Sequence, residues 1–170
     1  MALLSLQATV ATTPNIGGDS AVTSATVTGH AATNPVSTGV GFSDNRSCRW
    51  SGFPTGPSTR VSATLKVTHT SSGSLTNPGG TAHNGFTLEY SLNAGGAWTS
   101  IVSRSDFTAA QGPTEFTLTL GAGQDISQVQ VRDRITTSTN DINDTSSATV
   151  TISGIVVEVV TIDPSMVVMW

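Results

Sequence analysis

The stretch FTLEYSLNAGGAWTSIVSR, residues 86–104, consists of two alternating segments joined by a short polar link. Phe86, Leu88, Tyr90 and Leu92 fall on one side of a period of two, with Thr87, Glu89 and Ser91 on the other, as in a half-buried strand. Between the segments, Asn93 can hydrogen-bond its own turn, and Gly95 and Gly96 tolerate positive φ. The stretch therefore predicts a β-hairpin. The face of Trp98 stays open, because pairing it with Leu92 or with Ser91 places it on opposite sides of the sheet.

The same period recurs on both sides of this hairpin. RVSATLKVTHT (60–70) sets Val61, Ala63, Leu65 and Val67 against Ser62, Thr64, Lys66 and Thr68. RSCRW (46–50) alternates Arg46, Cys48 and Trp50 with Ser47 and Arg49, and SGFPTGP then breaks the strand. SSGSLTNPGGTAHNG (71–85) reads as a long polar loop. Downstream, TEFTLTL (114–120) alternates again, and ISQVQVRDRI (126–135) turns Val129 and Val131 inward and Gln128, Gln130, Arg132 and Arg134 outward. In SATVTISGIVVEVVTI the apolar parity shifts at Gly154, from Ala148, Val150 and Ile152 to Ile155, Val157 and Val159, which predicts a bulge. Eight or more short strands with Gly, Pro and Asn turns predict an all-β fold, a two-sheet antiparallel sandwich of jelly-roll type. We expect residues 1–45 to form an extended N-terminal arm with edge strands, 46–163 the sandwich, and 164–170 an apolar docking tail.

Two resemblances follow from these residues. Ser91 to Trp98 resembles the Asp box of sialidase propellers, with Asn93 in place of the aspartate and Ala97 in place of the threonine. In that family the box is a folding device remote from catalysis. The order of strands from Trp50 to Val160 resembles galactose-binding and carbohydrate-binding jelly-roll modules, which also occur in phage particles. That likeness implies a sandwich fold and admits a glycan ligand.

Composition narrows the functional classes. Charged residues make up 11% of the 170, against about 25% in ordinary soluble domains. Lys66 is the only lysine and the formal charge is −4, so no basic field invites nucleic acid. Cys48 is the only cysteine, which rules out an internal disulfide and suits a small buried side chain on a strand. Residues 1–15 lack the charged start of a signal peptide, and no apolar run reaches the roughly 18 residues that would suggest a membrane span. Hydroxyl-rich composition resembles that of proteins working outside cells, yet no export signal is read. A phage particle reconciles the two, because its parts fold in the cytoplasm and leave by lysis.

Catalytic motifs are not found: there is no G-x-S-x-G, H-E-x-x-H or C-x-x-C, and His30, His69 and His83 lie in or beside polar segments without ligand spacing. We expect these histidines at the surface or in loops, and no enzyme. Asn140, Asp141, Asn143 and Asp144 offer hard oxygen ligands, a candidate structural calcium site that an ordinary polar turn would also explain. Gln128, Gln130, Arg132 and Arg134 form a candidate ligand face for a glycan, lacking only an evident aromatic partner. The sequons at Asn45 and Asn143 matter only on a eukaryotic secretory route.

The closing run Met166, Val167, Val168, Met169 and Trp170 is apolar enough to require cover, either as a folded-back edge strand or on a neighbouring subunit. These features point to a non-enzymatic structural subunit of a bacteriophage virion, a capsid decoration or tail component, assembling as a homo-oligomer or on capsid and tail proteins. The alternatives are an extracellular carbohydrate-binding module and a self-assembling surface filament subunit.

Overall fold

Every strand pairing is antiparallel in the computed structural model, which describes residues 1–12, 25–26, 29–38, 42–76, 81–141 and 143–162. The strands are β1 (Ala2–Gln7), β2 (Val10–Thr12), β3 (Ala25–Thr26), β4 (Gly29–Thr38), β5 (Phe42–Ser51) and β6 (Arg60–Leu75). They continue with β7 (Ala82–Ser91), β8 (Thr99–Ser105), β9 (Gln111–Leu120), β10 (Gln130–Thr139) and β11 (Thr145–Thr161). One sheet runs β3-β4-β11-β6-β9 with β1 also on β11, and the other runs β2-β5-β10-β7-β8. The all-β two-sheet sandwich expected from the alternation is thus the observed fold.

The order follows from one nested ribbon. β7 pairs with β8, β6 with β9, β5 with β10 and β4 with β11, so the hairpin of residues 86–104 is the innermost turn of the whole chain. Rolling that ribbon brings β6 onto β11 and β7 onto β10, which closes the two sheets in jelly-roll order. The inward set then meets between the layers: Trp50, Leu65, Val67, Phe86, Leu88, Val131, Ile135 and Val157 are all at most 1% exposed. Burying such side chains supplies about 1.5–3 kcal/mol each before entropy is counted.

Several strand-level expectations are met at residue level. Ala63, Leu65 and Val67 are buried, as are Cys48 and Trp50. The β11–β6 register slips between Ile152 and Gly154, placing the bulge where the apolar parity changes.

Others are corrected. β6 continues to Leu75 and β7 starts at Ala82, so most of the polar stretch 71–85 is strand. The reason is pairing: Ser71 to Leu75 lie in register with β11, where Ser71 and Leu75 are buried. His69, expected at the surface or in a loop, is 1% exposed and sits in the inward series after Val67. Ile126–Gln128 forms a 3₁₀ turn capped by the Asp125 carboxylate, which accepts from the Ser127 amide, so β10 begins only at Gln130.

Candidate functional site

Face parity in the five-stranded sheet builds the site. Since Cys48, Trp50, Val131, Asp133, Ile135, Phe86 and Leu88 point into the sandwich, their neighbours Arg49, Arg132, Arg134 and Glu89 point away from it. Register then sets Arg49 of β5 opposite Arg132 of β10, and Arg132 opposite Glu89 of β7. Two like charges directly opposite across a ladder repel. Two contacts offset this: Arg132 Nε donates to Glu89 Oε2 at 2.6 Å, and the Arg132 guanidinium stands 4.0 Å from the centre of the Trp98 ring. Arg49 is 5.9 Å from the same ring.

The turn aims Trp98 there. Ala94 and Gly95 have positive φ, at 56° and 87°. Ser91 Oγ accepts the Gly95 amide at 2.9 Å, and Asn93 Oδ1 accepts the Ala97 amide at 2.8 Å and the Ser91 hydroxyl at 2.9 Å. Asn93 thereby closes the turn with its carboxamide oxygen. Two tethers from the link after β9 hold the tip: Ala94 donates its amide to the Gln128 carbonyl at 2.9 Å, and Gln124 Nε2 donates to the Leu92 carbonyl at 2.7 Å. The last ladder pair is Tyr90 with Thr99, which leaves Trp98 in line with Ser91 and its ring over the outer face. Tyr90 goes the other way, stacking on Phe116 of the facing sheet with ring centroids 5.7 Å apart.

The aromatic that the candidate ligand face lacked is therefore Trp98. Of the four residues in that face, Gln130, Arg132 and Arg134 lie on β10, whereas Gln128 belongs to the 3₁₀ turn and holds the hairpin through its backbone. Gln130 Oε1 and Arg49 Nε are buried atoms without a hydrogen-bond partner among the described residues. Gln130 Oε1 comes close to Gly95: a Cβ at that glycine would sit 3.0 Å from it and 3.4 Å from Trp98 Cζ2. Arg49 and Glu89 were missed as site residues, and the face of Trp98 stayed open, because their grouping needs three strands and a turn in register; the alternation of RSCRW was the available signal for Arg49.

The acidic turn after β10 is held by hydrogen bonds within it and by two to Thr81. Asp141 Oδ1 accepts the Asn143 amide at 2.9 Å, Asp144 is buried and takes the Thr81 hydroxyl, and the Asn140 amide donates to the Thr81 carbonyl at 3.1 Å. Among the described residues no three His, Cys, Asp or Glu side chains group as metal ligands. A separate cleft of about 290 Å³ lies between residues 55–60 and 122–126, where Arg60 spends its guanidinium on the carbonyls of Gln124 (2.9 Å), Gly121 and Ala122.

Sheet margins complete the inventory. β1 pairs with β11 alone among the described residues, and its Leu3 and Leu4 are 63% and 42% exposed, one on each face of the strand. Met1, Val61 and Ile162 are also exposed. The predicted contacts Met166, Val167, Val168, Met169 and Trp170 lie outside the described residues. No described helix is long and apolar enough to cross a membrane. Comparison with protein families, characterised proteins and solved structures found no match to this chain.

Proposed function

We propose that this chain is a non-enzymatic structural subunit of a bacteriophage virion, a capsid decoration or tail component that assembles through sheet edges and terminal segments. The observation that supports this reading is β1, which among the described residues pairs on one side only and has leucines exposed on both faces. Such an edge offers unpaired ladder groups together with apolar area, the combination a second strand covers in β-augmentation. The apolar run Met166–Trp170 follows Ile162 by a few residues and supplies a second adhesive segment. A single cysteine suits folding in a reducing compartment.

Light scattering coupled to size exclusion tests it. The chain is expected to run as a closed oligomer or to bind capsids or tails, and Leu3→Lys with Leu4→Lys to abolish the association while leaving the fold intact. A wild-type monomer that binds no particle sinks the proposal.

A second reading, an extracellular carbohydrate-binding module, is favoured by the part-exposed Trp98 ring lying beside Arg132 and Gln130 on the outer sheet face. An aromatic platform flanked by planar hydrogen-bonding groups is the usual anatomy of a sugar site. A glycan array reads it directly: binding lost in Trp98→Ala supports it, and silence across the array removes it.

A further inference from the structure

We infer that the outer face of the five-stranded sheet takes an acidic sugar, a ring bearing a carboxylate, with the ring against Trp98 and the carboxylate on the arginines. This rests on the second reading above, that the face holds a glycan, and adds the charge of the ligand. Three of the seven basic residues, Arg49, Arg132 and Arg134, stand on this one face with Glu89 opposite Arg132 on the side away from Arg49, so among the described residues three positive charges less one negative leave +2 on a chain of formal charge −4. The local sign opposes that of the molecule. A surface built merely to be solvated gains nothing by setting Arg49 directly against Arg132.

Donors are left over as well. Glu89 occupies Nε of Arg132, and Arg134 is exposed with no hydrogen bond or ion pair among the described residues; Arg49 Nε is buried, so that atom adds charge and not a donor to a ligand. A planar guanidinium fork matches a carboxylate in a way that a neutral hydroxyl does not. Trp98 offers an apolar surface for the C–H face of one sugar ring beside that fork. One aromatic and one knot of charge fit a single acidic ring, whereas single-stranded nucleic acid calls for a groove of charge with successive stacking platforms.

Calorimetric titration of the full chain with trigalacturonate, an α2,8-linked sialic acid trimer and a hyaluronate tetramer, against maltotriose and hexathymidylate, tests this. An acidic oligosaccharide is expected to bind, more weakly as salt rises, and maltotriose to give no heat. Arg134→Gln, at an exposed side chain with no hydrogen bond or ion pair among the described residues, is expected to cost about tenfold in affinity, as is Trp98→Ala with its fold checked by circular dichroism. Equal binding of maltotriose overturns the acidic-sugar inference and leaves the glycan face standing. Silence towards every sugar overturns both. Tighter binding of hexathymidylate than of the acidic sugars, or an Arg134→Gln affinity equal to wild type, also overturns the inference.

Discussion

Asn84 and Phe107 hold each other by two hydrogen bonds: Asn84 Nδ2 donates to the Phe107 carbonyl at 2.9 Å, and the Phe107 amide donates to Asn84 Oδ1 at 2.8 Å. The same Nδ2 donates to the Ser147 carbonyl at 2.9 Å, so one amide, 3% exposed, ties β7 to the corner after β8 and to β11 of the other sheet. Asn84→Ala leaves two buried backbone groups and one part-buried carbonyl without this partner and is expected to lose about 2–4 kcal/mol, seen as a lower urea midpoint at unchanged slope. Gly73→Ala should be comparably harmful, because its Cβ would stand 2.6 Å from Asn84 Nδ2 and 2.8 Å from the Phe107 carbonyl oxygen. Variants as stable as wild type would show that the corner is not held by this amide.

Cys48 should be chemically silent in the native protein. Its thiol is 0% exposed, and burial, followed by the nearby Asp133 carboxylate, pushes its pKa from 9.0 up to about 12. Disulfide exchange with an aromatic disulfide reagent at pH 8 is expected to proceed only as fast as the chain opens. Because the folded pKa is raised, the contribution of the neutral thiol is intact below pH 9 and is lost as pH climbs from 9 towards 12. Urea titrations across that window should show the decline, and Cys48→Ala should remove its share. Rapid labelling of native protein at pH 8 would contradict the buried placement.

Acid acts through His69. Burial first, and the charge of Arg104 second, hold its pKa below the ordinary 6.5, and its ring lies 5.7 Å from that of Phe86. The unfolded chain takes up this proton near pH 6.5 while the folded one does not, so stability is present above 6.5 and falls as pH drops below it, down to the folded pKa. Denaturation at pH 7.5 and at lower pH, on wild type and on His69→Leu, isolates the effect. An identical pH slope in both proteins would refute it.

The hairpin makes opposite demands at two neighbouring positions. Gly95→Ala forces an L side chain to φ 87° and places its Cβ 3.0 Å from Gln130 Oε1, so a loss of about 1–2 kcal/mol and a changed near-ultraviolet signal from Trp98 are expected. Asn93→Asp keeps an oxygen for the Ala97 amide and should stay within about 0.5 kcal/mol of wild type, while Asn93→Ala should cost about 1 kcal/mol. Thermal melts of the three variants check the ranking. A harmless Gly95→Ala would mean that the turn relaxes freely.

Ladders were legible in the chain wherever one face is apolar. Leu65 and Val67 alternate with Thr64, Lys66 and Thr68, and Phe86 and Leu88 with Thr87 and Glu89, and a period of two has one geometric meaning. Gly154 announced its bulge because the apolar parity changes there and nowhere else in β11. Asp133, Asn84 and His69 were illegible for the converse reason. Each is a polar residue at an inward position, and for two of them the partner comes from a distant part of the chain: the Cys48 amide meets Asp133 Oδ1 at 2.7 Å, and the Phe107 and Ser147 backbones meet Asn84.

Alternation and turn chemistry, which act between residues close in sequence, were sufficient to specify strands, the innermost hairpin and a rolled two-layer fold. Only the tertiary structure put Arg49 beside Arg132 and laid Trp98 next to them, because register between strands far apart in the chain is fixed by the packing of whole faces and by the tethers that Gln124 and Gln128 place on the turn.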